Sequence, residues 1–196
     1  MTKQLNFDLE NESQQEIFGQ LEIFLQMLAN ALKDPIFSDL KPDFTGFHIA
    51  FSDGEKLFSY SIGEILPEKK SKYMYYAVNK ASGLFHYNCT RSNVFTIMDS
   101  EGQPVRVLGG VQIKGKGGGV SAHHSKVDEA IIVSFLAIIN IQDELEDPGD
   151  LDELLATDEF WKNFPNIINK WYMENAQDNE YIPLLAEKIA GHKVSE

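Results

Sequence analysis

Apolar residues first recur at helical spacing near the start of the chain, at Ile17, Leu21, Phe24, Leu25, Leu28 and Leu32. Ser13 and Glu16 stand at capping-box spacing ahead of them, and Pro35 lies just past the end. A helix over 14–33 is the reading. The period then changes. Over 46–52, Phe47, Ile49 and Phe51 alternate onto one face, with His48 on the other. Asp53-Gly54 follows, and a second run covers 57–62. An Asp-Gly pair between two alternating runs predicts a hairpin, because its tight turn needs positive φ.

Residues 72–87 read as a second helix bearing Tyr73, Tyr76, Ala77, Ala81, Leu84 and Phe85. Strands are expected over 94–98, 105–108 and 111–114, with a turn at 99–102 and an interruption at Gly109-Gly110. Four glycines in the five positions 115–119 read as a flexible loop. Ser125 is placed to cap a helix beginning near Lys126, with Asp128 and Glu129 in its first turn. From Ala130 to Ile139 that helix is apolar almost all round, Ser134 excepted, so it should be the central core helix, with Ile131, Phe135 and Ile138 inside. Beyond Gln142 comes an acidic stretch and then helical segments carrying Leu151, Trp161, Phe164, Trp171 and Leu185. The expectation is an α+β protein: an antiparallel sheet with packed helices and a helical C-terminal tail. Residues 1–142 form the core domain and 143–196 an acidic extension packed on it.

Composition narrows the partners. The 196 residues carry a net charge of −13, unevenly spread. Between Leu66 and Lys126 there are nine Lys/Arg and three Asp/Glu, whereas 142–160 holds nine acidic residues and no basic one. Duplex nucleic acid is not an expected partner, since binding it needs a cationic face. No apolar run approaches the ~20 residues that span a bilayer, so no membrane partner is expected. The N-terminus lacks an apolar stretch backed by positive charge, and the single cysteine, Cys89, excludes an internal disulfide. A reducing, cytoplasmic location fits both features.

The segment richest in chemistry runs from Leu108 to Glu129. Lys114, Lys116, Gly117, Gly118, His123 and His124 are its candidate ligand-binding residues. Glycines expose backbone donors, lysines add positive charge, and histidines ligate or exchange protons near neutral pH. Gly110, Gly115 and Lys116 have P-loop spacing, but Gly117 stands where a magnesium-binding Ser or Thr belongs. A mobile hairpin loop is the plainer reading of these glycines. His123 and His124 could converge on a divalent metal with Asp128 or Glu129, or give haem an axial ligand; solvated loop histidines are the alternative. His86 and Cys89 lie three residues apart, which fits an inert buried thiol better than a nucleophilic pair.

Two stretches resemble the haem-degrading domain family, the GlcG/HbpS-like proteins. One is the helix–hairpin–helix opening with Phe51-Ser52-Asp53-Gly54-Glu55-Lys56-Leu57. The other is Gly109-Gly110-Val111-Gln112-Ile113, a glycine loop, then Asp128-Glu129-Ala130 opening an apolar helix. The resemblance implies a small profilin-like fold that often oligomerises and binds a ligand without a settled catalytic set. The leading expectation is a small-ligand-binding protein, for haem, a metal or an anionic metabolite, non-enzymatic or only weakly enzymatic, with its site at the glycine loop and His123/His124. One rival is an acidic interaction or inhibitor protein engaging a basic partner, with an exposed aromatic patch near Trp161 and Trp171 or a broad acidic surface. Another is an enzyme acting on a phosphorylated metabolite through Lys114, Lys116 and a histidine.

Overall fold

The computed structural model of the chain describes residues 21–38, 46–99, 101–145, 147, 150–175 and 178–194. Helix α1 (Glu22–Ala31) buries Phe24, Leu25, Met27, Leu28 and Ala31, and a single turn, α2 (Pro35–Ser38), follows. The first part of the helix expected over 14–33 lies outside the described residues. Strands β1 (Gly46–Ser52) and β2 (Leu57–Gly63) form the expected hairpin. Ser52 pairs with Leu57, so the connection is four residues rather than a two-residue turn. Asp53 Oδ1 accepts from the Glu55 and Lys56 N–H groups at 2.9 and 2.7 Å, and Gly54 takes φ +96°. The side chain thus closes the loop that the sequence assigned to the backbone alone.

Helix α3 (Pro67–His86) begins five residues before the expected start, with Pro67 at its first position, where the missing N–H costs nothing. A short 3-10 turn (Ser92–Val94) leads into β3 (Thr96–Met98), which pairs antiparallel with β4 (Pro104–Arg106). Strands β5 (Gly110–Ile113) and β6 (Lys116–Ser121) complete the main sheet, whose order is β2-β1-β6-β5 with antiparallel pairing throughout. The glycine run is therefore no loop. Gly117, Gly118 and Gly119 sit in β6, paired with β1 on one side and β5 on the other.

The glycines explain how the layers come together. A Cβ at Gly119 would lie 2.3 Å from Lys80 Cβ and 2.9 Å from the Ala77 carbonyl, both on α3. A Cβ at Gly118 would lie 2.5 Å from Ile132 on the opposite face. Alternate positions of a strand point to opposite faces. Helix α3 therefore lies on one face and α4 (Ser125–Glu144) on the other. β1, second in the sheet and covered on both faces, is buried along its whole length.

Helix α4 is the central helix, with Ile131, Phe135 and Ile138 fully buried as expected. Its N-cap is His124 rather than Ser125. Helices α5 (Asp150–Leu155), α6 (Asp158–Asn175) and α7 (Tyr181–Val194) follow. Trp161, Phe164, Leu185 and Ile189 join the same apolar cluster as Phe24 and Phe135. A second, smaller cluster, Leu84, Phe95 and Val107 with Tyr76, Cys89 and Ile97 against it, seats the β3–β4 hairpin on α3. No described helix is long and apolar enough to cross a membrane.

Candidate functional site

The six residues singled out by sequence do not meet. Lys114 Nζ pairs with Glu144 Oε1 at 2.7 Å and lies 4.6 Å from the centre of the Trp171 ring. Lys116 Nζ pairs with Asp143 Oδ2 at 2.5 Å. Lys114 lies in the β5–β6 turn and Lys116 opens β6, whereas His123 and His124 follow the far end of β6. Five strand steps separate Lys116 from Ser121, a reach of roughly 17 Å. Gly117 and Gly118 between them are buried within the sheet, so their backbone cradles no anion.

The two histidines also part. The His123 ring has no exposed surface, packs beside Phe47 with centroids 6.5 Å apart, and holds Nδ1 4.0 Å from Asp128 Oδ1. His124 is exposed at the start of α4, where Nδ1 accepts from the Lys126 N–H at 3.5 Å. Among the described residues no group of three or more His, Cys, Asp or Glu side chains gathers as a metal site would require. His86 stands exposed against Tyr87. Cys89 is partly buried at the small core, which raises its thiol pKa and disfavours the thiolate.

Two adjacent carboxylates of α4 organise the polar interior instead. One residue along a helix turns the side chain by about 100°, so Asp128 and Glu129 leave in different directions. Asp128 Oδ2 accepts from the buried Lys80 Nζ at 3.1 Å, and its Oδ1 accepts from the His123 N–H at 2.9 Å. Lys80 also donates to the Val120 carbonyl. Glu129 accepts two bonds from Arg91, at 2.8 Å from Nε and 3.0 Å from Nη2, and a third from Asn179 at 2.8 Å. Burial works against the charge on Arg91. Hydrogen bonds and attraction from Glu129 and Asp178 outweigh it and hold the guanidinium pKa above its ordinary value.

A cleft of about 190 Å³ opens over this second network, walled by Arg91, Leu108, Gly109, Ser125, Glu129 and Asp178. Gly109 lets the chain at the cleft wall lie close against α4. It takes φ +82°, and a Cβ there would lie 2.6 Å from the Ser125 carbonyl. Sequence reading missed Arg91 and Asn179 because 38 and 50 positions separate them from Glu129. Lys80 was detectable: it interrupts the apolar face marked by Ala77, Ala81 and Leu84.

Leu108 in the cleft wall is one of several exposed apolar residues on or just beyond α3, the 3-10 turn and the β3–β4 hairpin. Val94 is 66% exposed, Met98 58%, Tyr87 52% and Tyr75 and Leu108 41% each. Tyr75 Oη donates to the Met98 carbonyl at 2.5 Å, and Tyr87 stacks on Phe95. Pairing in the hairpin puts Thr96 opposite Arg106 and Met98 opposite Pro104, and these four exposed residues share its outer face. Lys72 is one helical turn before Tyr75. Among the described residues neither Lys72 nor Arg106 has an ion-pair partner, although the chain's net charge is −13.

Comparison of the chain with protein-family models, with curated proteins and with solved structures finds no match in any of the three.

Proposed function

We propose that this chain is a docking protein whose binding surface is the outer face of the β3–β4 hairpin with the adjoining turn of α3. The exposed cluster around Met98 carries the reading. Contiguous exposed apolar side chains mark interaction surfaces far better than scattered ones do, and tyrosine and methionine are favoured at such surfaces. Lys72 and Arg106, which form no ion pair among the described residues, add two positive charges at the rim. The partner this chemistry fits is an acidic protein segment bearing large apolar side chains.

The acidic stretch around α5 supports a docking role less well. Asp150, Asp152, Glu153, Asp158 and Glu159 are exposed, but Leu151, Leu155, Phe160 and Trp161 between them are buried. Trp171 is also buried. Among its described residues that face offers charge without a large exposed apolar side chain, and interface energy concentrates in apolar and aromatic anchors. A small-ligand role at Lys114, Lys116 and the histidines loses the convergence that motivated it.

Selection of random displayed peptides on the immobilised chain tests the proposal. Enriched peptides are expected to combine Asp or Glu with aromatic or aliphatic residues. Their affinity should fall at least about tenfold, some 1.4 kcal/mol, in a Met98→Glu, Arg106→Glu variant. Enrichment of Lys/Arg-rich peptides, sensitive to Asp152→Lys, Glu153→Lys and indifferent to the hairpin variant, would move the surface to the acidic face.

A further inference from the structure

The two carboxylates on Arg91 are not equivalent. Glu129 holds Nε and Nη2 together, is 5% exposed at its side chain and is fixed further by Asn179. Asp178 holds Nη1 alone, through a single 2.9 Å contact, and its side chain is 69% exposed. One pair belongs to the buried framework; the other is a one-point contact at the cleft wall. The ground beneath it is prepared for a negative group. Arg91 cannot lose its charge, and Ser125 and Lys126, which share the cleft wall with it, stand at the N-terminal end of α4.

We infer that the cleft is a carboxylate-binding site and that Asp178 occupies it as an intramolecular stand-in. A ligand carboxylate would take the place of Asp178 Oδ1 on Arg91 Nη1, with the Arg91–Glu129 pair left intact. The exchange is noncovalent, and Asp178 turns outward into water. The ligand class is a small carboxylic acid or the Glu or Asp side chain of a peptide; about 190 Å³ admits either. Stand-in and ligand compete, so the observed affinity is the intrinsic one divided by the cost of displacing Asp178. The site stands beside the docking surface, with Leu108 common to both, but does not depend on it.

The test follows the Arg91 side-chain Nε–H signal by NMR during titration with sodium acetate, and separately with the capped peptide acetyl-Leu-Glu-Leu-amide. Sodium chloride at matched ionic strength is the control. Asp178→Asn keeps the size of the side chain and removes the competing charge at an exposed position. It should tighten carboxylate binding about three- to fivefold, the factor an exposed ion pair carries. Leu108→Trp, which fills the mouth, should weaken it. A response to acetate identifies a small-molecule site, and a response to the peptide alone identifies a peptide side chain as the source. No shift beyond the chloride control in either protein, or equal affinities in wild type and Asp178→Asn, overturns the inference. The Met98→Glu, Arg106→Glu variant should leave this titration unchanged, which separates it from the docking reading.

Discussion

His48 stands on β1 on the face that meets α3, 4% exposed, with Nδ1 2.9 Å from Ser61 Oγ. Its Nε2 is buried without a hydrogen-bond partner among the described residues. Burial first, and the charge of Lys70 second, lower its pKa from 6.5 to about 4. The folded state therefore prefers the neutral ring. Above pH 6.5 the ring is neutral folded and unfolded, and its contribution to stability is fully present. As pH falls from 6.5 to about 4 the unfolded chain takes up a proton that the folded chain refuses, and stability drops by up to roughly 3 kcal/mol. Urea midpoints measured across that window should fall more steeply for wild type than for His48→Gln. Equal slopes would show that the ring is protonated without penalty. The alternating pattern around Phe47 and Ile49 did assign His48 to the opposite face. It could not say that α3 covers that face, because a period of two orders a strand's sides without naming what lies on them.

Elements with a strong period were legible and the glycine-rich strand was not. The β1–β2 hairpin and the apolar helix α4 stand where their patterns put them. The sequence of β6 predicts a loop, because Gly117, Gly118 and Gly119 have low strand propensity and no side chains to alternate. Their role appears only in three dimensions, where both covering helices approach the backbone closely. Gly119→Ala tests that role at the tightest point, since its Cβ would overlap Lys80 Cβ and crowd the Ala77 carbonyl. Neither neighbour is the free end of a side chain, so α3 must shift. Denaturant unfolding should register a loss of about 1–3 kcal/mol, the usual range for overpacking. A neutral result would mean that α3 and β6 slide apart without strain.

On the scale of the whole molecule, a four-stranded sheet lies between α3 and α4, and the C-terminal helices share the core of α4. The small β3–β4 sheet stands apart on its own cluster of Leu84, Phe95 and Val107. The same separation leaves Val94, Met98 and Leu108 at the surface. The uneven charge of the 66–126 segment was visible in sequence. Its meeting with exposed apolar side chains was not, because Lys72, Tyr75, Met98 and Arg106 are joined only by the register of β3–β4 and its seat on α3. The Arg91 cleft was hidden for the same reason, its members lying on a connector, α4 and the approach to α7. Backbone hydrogen exchange, with and without an acidic-apolar peptide taken from the display selection, tests docking on this surface most directly. The peptide should slow exchange at residues 94–98 and 104–108 and along the outer turns of α3 near Tyr75. Protection confined to α5 and the start of α6, or to the β5–β6 turn at Lys114 and Lys116, would contradict it.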